Sequence, residues 1–149
     1  MSRRFIPAFA FVFASLFAVS AIAKDPVYTA RFSNIAVEGY DPVAYFTQGE
    51  PVKGDRQFSL DYNGAEWRFS TAENLAAFEA DPTKYAPQYG GYCSWAVSQG
   101  YTARGNPKNW TIVEDKLYLN YNDEIQARWT KDIPGFINTA NQNWPDVLN

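Results

Sequence analysis

The stretch that most constrains the fold is QFSLDYNGAEWRF, residues 57–69. Phe58, Leu60 and Tyr62 alternate with polar residues, and Ala65, Trp67 and Phe69 alternate again after Asn63-Gly64. Alternation puts one set of side chains on one face of an extended chain. Asn-Gly accepts the left-handed backbone that a two-residue turn between twisted strands requires, so a type I′ hairpin is expected. A lone hairpin with an apolar face needs a cover, and the next residues offer one. Ser70-Thr71-Ala72-Glu73 reads as a helix start with Ser70 as cap and Glu73 closing a capping box. Leu75 and Phe78 then lie one turn apart and face the core. Asp81-Pro82 ends that helix and starts a further turn, with Asp81 as cap and Pro82 in the first position.

The same reasoning organises the rest. GYDPVAYFTQGEPVKG (39–54) is rich in Gly and Pro, with a turn signal at Asp41-Pro42. Its Tyr40, Val43, Tyr45 and Phe46 are expected against the core. Gly90-Gly91 precedes a short helix expected from about Tyr92 to Ser98 and ended by Gly100. NWTIVEDKLYLNY (109–121) reads as a second hairpin turning at Glu114-Asp115. Asn122-Asp123-Glu124 opens a helix running to about Thr130, since acidic residues favour a helix N-terminus. Pro134 begins a last helix, which Trp144-Pro145 ends. The expected fold class is α+β: a small single domain of two β-hairpins packed against several short helices.

Residues 1–23 read as a targeting segment. Arg3 and Arg4 precede an apolar run, Phe5 to Val19, and Ala21 and Ala23 satisfy the A-x-A rule, so cleavage is expected before Lys24. The run is short for a bilayer span and ends at a small-residue site. The mature chain, residues 24–149, is then periplasmic, without a membrane span. Removing Arg3 and Arg4 leaves 11 basic against 16 acidic residues, a net charge of −5. That balance argues against nucleic acid as partner, which needs a positive footprint.

Two shortages narrow the chemistry. The chain has no His and one Cys, Cys93. An internal disulfide is impossible. The commonest general base and commonest metal ligand are missing, and the four Cys or His ligands of a structural zinc cannot be assembled. No metal and no cofactor is therefore expected. Among the carboxylates, Asp41, Asp61, Glu66, Asp115, Asp123 and Glu124 fall mostly at turns and helix starts, where capping and solvation are their ordinary work. NYNDE (120–124) offers oxygen ligands but lacks the spacing of a twelve-residue calcium loop. NWT (109–111) is a glycosylation sequon on an expected strand. The five Trp and ten Tyr all lie after residue 23. As a set they suit a core built of large rings, with an aromatic-lined cleft as the sharper alternative.

Several of these residues carry a resemblance. Asp41-Pro42-Val43, followed by YNGAEWRFSTAENLAAFEADPTKY (62–85), resembles the YHS domain. The longer frame of GYDPVAYF, KYAPQYGGYCSWA and LYLNYN is similar to a group of exported bacterial YHS-domain proteins. In metal-associated members the resemblance implies cysteines at positions held here by Ala44, Ser70 and Asn74. Ser and Asn are good helix-start residues and poor ligands for soft metals, so the metal role does not carry over. Proteins of the exported group are described with selenocysteine at the position of Cys93, which implies redox chemistry there.

Cys93 accordingly has two readings. It is a small buried hydrophobe, as free Cys often is. Or it is a reactive thiolate in the first turn of a helix, with Tyr89, Tyr92 and Trp95 shaping a ligand pocket around it. No His activates the thiol and no second Cys resolves a disulfide. The leading expectation is a binding or accessory module for a small molecule or a periplasmic protein partner, more a binder than an enzyme. The alternative is a thiol-dependent oxidoreductase using Cys93 as catalytic thiolate.

Overall fold

In the computed structural model, residue 18 and residues 22–149 are described. The targeting segment expected over residues 1–23 therefore lies almost wholly outside the described residues. The architecture is α+β, as the alternation and capping signals predict. Strands β1 (Asp55–Tyr62) and β2 (Ala65–Phe69) form one antiparallel hairpin; β3 (Asn106–Val113) and β4 (Lys116–Asn120) form a second. The helices are α1 (Ala44–Thr47), α2 (Ala72–Ala80), α3 (Pro82–Tyr85), α4 (Ser94–Ser98), α5 (Asp123–Trp129) and α6 (Ile133–Asn143).

Both turns are two residues long. Tyr62 pairs with Ala65 across Asn63 (φ 52°) and Gly64 (φ 83°). Val113 pairs with Lys116 across Glu114 (φ 49°) and Asp115 (φ 59°). The first is the type I′ turn that Asn-Gly specifies. The second takes the same left-handed path without a glycine, in a residue pair less suited to it.

The first core lies between hairpin one and α2. Trp67 and Phe69 are fully buried on the inner face of β2, and Phe78 of α2 reaches both, with ring centroids 5.0 and 5.1 Å away. Tyr62 meets Phe78 edge-on at 5.6 Å. The second core gathers Tyr89, Tyr118 and Trp129 with Val97 and Ala140. Strand β4 separates the two. Leu117 and Leu119 point into the first core, and Tyr118, one residue out of phase, points into the second. A strand covered on both faces has no polar side, which is why four consecutive residues, Leu117 to Asn120, are all buried. The same period puts Asn120 on the Tyr118 face, towards α4.

One expectation is corrected at the start of α2. The cap is Thr71, whose hydroxyl accepts from the Asn74 amide, not Ser70. Ser70 is committed elsewhere: its N–H and its hydroxyl both donate to Asp41 Oδ2, at 2.8 and 2.7 Å. Asn74 Nδ2 donates to the same oxygen at 2.7 Å. Asp41 Oδ1 accepts the amides of Val43 (2.8 Å) and Ala44 (3.3 Å) at the start of α1. Asp41 is completely buried. Five donors replace the water a carboxylate gives up on burial, the condition under which such a group is tolerated inside a protein. α4 is likewise shorter than expected, and begins at Ser94 with Cys93 in the capping position outside it.

Asp41→Ala leaves the buried amides of Val43 and Ala44 unpaired and frees the half-buried donors of Ser70 and Asn74. Given the worth of hydrogen bonds to charged groups, urea unfolding is expected to show a loss of about 3 kcal/mol or more. Ser70→Ala and Asn74→Ala, which each remove part of the donor set, are expected to cost less than Asp41→Ala.

Candidate functional site

The only thiol sits where the two halves of the fold meet. The backbone before it is left-handed at Tyr89 (φ 56°), Gly90 (φ 61°) and Gly91 (φ 84°). A side chain at Gly90 would collide with the Pro26 carbonyl, so the N-terminal arm presses directly on this turn. The Cys93 N–H then donates to the Ala103 carbonyl at 2.9 Å. Cys93 Sγ lies 3.6 Å from Asn120 Oδ1, which also accepts the Trp95 N–H at 3.0 Å. The α4 start thus has no cap from its own N-cap side chain and is capped across space by the buried Asn120 of β4.

This geometry decides the state of the thiol. Cys93 is 1% exposed. Burial pushes its pKa above the ordinary thiol value, and the amides of Ala96, Tyr121 and Trp95 offset that only in part. The helix-start reading predicts the opposite, a stabilised thiolate; desolvation overrides it because Cys93 stands before a five-residue helix and inside the protein. Two more buried polar atoms collect here. Ser94 Oγ and Asn120 Nδ2 have no hydrogen-bond partner among the described residues.

Above Cys93 is a cavity of about 420 Å³. α4 contributes Trp95 and Ala96, the following loop Tyr101 and Ala103, and the start of α5 Glu124 and Ile125, with Tyr121 between β4 and α5. Trp95 and Tyr101 meet edge-to-face, centroids 6.3 Å apart. Tyr101 and Tyr121 are each close to half exposed, unusual for large rings in this chain. The Arg128 guanidinium lies 5.8 Å from the Trp95 ring and pairs with Glu124 at 2.7 Å.

Of the ring residues expected around Cys93, the structure brings one, Trp95, to this cavity. Tyr89 and Tyr92 are part of the second core instead. Tyr89 Oη donates to Asn141 Oδ1 at 2.8 Å, and Tyr92 Oη to the Asp25 carbonyl at 2.8 Å. Sequence adjacency misleads here because Tyr89 and Tyr92 are drawn to partners on other elements, Asn141 of α6 and Asp25 of the N-terminal arm. Tyr101, Tyr121 and Glu124 were missed, because they reach the cavity from three separate places: the loop after α4, the end of β4 and the first turn of α5. No local pattern marks them.

The other candidates are already occupied. Asp123 Oδ1 accepts from Asn109 Nδ2 at 2.6 Å and Asn122 Oδ1 from the Ile125 amide at 2.9 Å, so NYNDE is used in capping and packing. Asn109 is buried, which closes it to glycan attachment. Lys84 Nζ lies 5.1 Å from the Tyr85 ring, a cation–π contact beside α3.

A YHS domain matches residues 43–89, the segment from the residue before α1 to the turn before Cys93. Neither a curated protein nor a solved structure matches the chain. The match covers the first hairpin and α2; the cavity over Cys93 is built entirely from residues after it. Within the matched segment, the positions of the metal-associated cysteines do converge. Ser70 and Asn74 meet at Asp41, and the Ala44 amide reaches the same carboxylate. They do not fit a soft metal. Ala44 offers no side-chain ligand, and the Ser70 hydroxyl and Asn74 amide are spent as donors to Asp41. Among the described residues, no three of His, Cys, Asp and Glu group as a metal site.

A raised pKa makes the stability pH-dependent, and the sign follows. The folded state holds the Cys93 proton to higher pH than the unfolded chain does. Its contribution is full below the unfolded value, about 8.5, and is lost as pH climbs through the folded one. Burial also raises the tyrosine hydroxyls of Tyr45 and Tyr89, whose unfolded value is about 10. The thermal unfolding midpoint is expected to fall above about pH 8.5 and more steeply above about pH 10. Cys93→Ala is expected to flatten the first part of that decline. Iodoacetamide is expected to label native Cys93 slowly at neutral pH, and quickly once urea unfolds the chain. Fast native labelling would restore the thiolate reading.

Proposed function

We propose that the protein is an exported, periplasmic binding or accessory module that takes a small molecule in the cavity over Cys93. The observation that carries this reading is the cavity itself: a hollow open to solvent on one side, floored by a buried thiol and walled by Trp95, Tyr101 and Tyr121. Ligand sites are typically apolar hollows with a few polar groups, and here Asn122 and Glu124 in the wall supply them, while the unpartnered Ser94 Oγ and Asn120 Nδ2 lie buried beside the thiol, behind the lining. Buried polar groups without partners cost stability, about 1–3 kcal/mol each, and such costs collect at functional sites.

Thiol redox chemistry is the weaker reading. Cys93 is inaccessible and protonated, and no second Cys is available to resolve an oxidised form. Metal trafficking through the YHS segment is weaker still, because Asp41 consumes the groups at the relevant positions.

Export rests on the residue 1–23 pattern. The mature start fits the fold: the Lys24 N–H donates to the Leu148 carbonyl at 2.7 Å, and Val27 is buried. Mass spectrometry of the protein from a periplasmic fraction is expected to give Lys24 as first residue; an intact Met1 in the cytoplasm would refute export.

Ala103→Leu fills the cavity from its wall and leaves the Ala103 carbonyl bond to Cys93 in place. Native mass spectrometry of the protein from its own host is expected to show a bound small molecule in the wild type and none in Ala103→Leu. Equal occupancy in both, or none in the wild type, would remove the cavity as the site.

A further inference from the structure

Resting on the reading of the cavity as a ligand site, we infer that its ligand carries a small organic ammonium group, held among Trp95, Tyr101, Tyr121 and Glu124. Three aromatic side chains converge on one space, and ring faces attract cations through their quadrupole. A carboxylate, Glu124, lines the same space, and the Arg128 that pairs with it is not part of the lining. Neutral apolar ligands call for no carboxylate in the wall, and anionic ones would meet it as repulsion.

The protein already demonstrates the chemistry with its own side chain. Arg128 extends over Trp95 and pairs with Glu124 four residues before it. Both partners are more than half exposed, 52% and 70%, so the pair is weak and exchangeable. Arg128 therefore competes for the cation position that a ligand ammonium would take. The positive start of α5 is answered within the helix, since Asn122 accepts the Ile125 amide and Asp123 and Glu124 occupy its first turn. The overall acidity of residues 24–149 favours approach of a cation.

The competition gives opposite signs to two surface substitutions. Choline is the probe, with 3,3-dimethylbutan-1-ol, its uncharged isostere, as the matched control; binding is read by calorimetry and by thermal shift. Choline is expected to bind about fivefold or more tighter than the isostere, in line with the scale of cation–π contacts. Glu124→Gln is expected to weaken choline severalfold, whereas Arg128→Gln is expected to strengthen it, and neither is expected to alter the isostere. Both residues are exposed, so both variants are expected to fold, checked by circular dichroism.

Equal binding of choline and isostere, or a loss of choline binding on Arg128→Gln, would overturn the ammonium inference and leave the cavity reading standing. Binding of neither probe would also overturn it, while a native ligand absent from Ala103→Leu would still support the cavity. If that ligand is found, its charge is an independent check: a neutral or anionic mass-identified ligand overturns the inference.

Discussion

The Asp41 carboxylate is the constraint on which the first half of the structure depends. One buried group receives five hydrogen bonds, from the start of α1, the end of β2 and the first turn of α2. The carboxylate itself has no exposure to water, so it has these donors or none. Fixing those three points sets the angle at which α2 crosses the hairpin. That angle puts Phe78 against Trp67 and Phe69. The hydrophobic contacts supply the larger share of stability, but Asp41 selects which arrangement of them is reached. In metal-associated relatives of this scaffold the resemblance places cysteines where Ala44, Ser70 and Asn74 stand. Here a carboxylate and its donors join the same elements.

The halves of the fold are joined by β4. Leu117 and Leu119 complete the core over which the YHS match lies, while Tyr118 and Asn120 serve the other side. Residues 43–89 therefore do not close their own core. They borrow two leucines from a strand that follows the match. The same strand caps α4 through Asn120 and carries straight on into Tyr121 at the cavity wall. Any shift of β4 is felt on both sides.

What could be read from the sequence was local and periodic. Asn63-Gly64 between alternating runs gave away the first hairpin, Glu114-Asp115 the second, and Asn122 and Pro134 the starts of the last long helices. Ser70 was misread because a capping box is a pattern of four neighbours, whereas its true partner, Asp41, lies 29 residues away. The same limit governs the site. Cys93 and Trp95 could be named from the segment they share; Tyr101, Tyr121 and Glu124 could not, because the loop after α4, the end of β4 and the start of α5 each bring one of them there. Tyr89 and Tyr92 look like neighbours of the thiol along the chain, but their rings pack into the second core, away from the cavity lining. The desolvation that keeps the thiol protonated is likewise a sum over distant residues.

The N-terminal arm carries a consequence for the order in which the chain can fold. Tyr28 bonds to Gly90, Asp25 receives the Tyr92 hydroxyl 67 residues along, and Lys24 meets Leu148 near the end of the chain. A chain that emerges N-terminus first holds this arm out with no partner until residues 90 and 92 have followed it, and the Lys24 contact with Leu148 forms later still. Contacts between chain ends are the slowest kind to form. The closure of the arm thus comes in two stages, first on the turn at Gly90 and then on the segment around Leu148, and a chain held short of that segment keeps Lys24 unpaired.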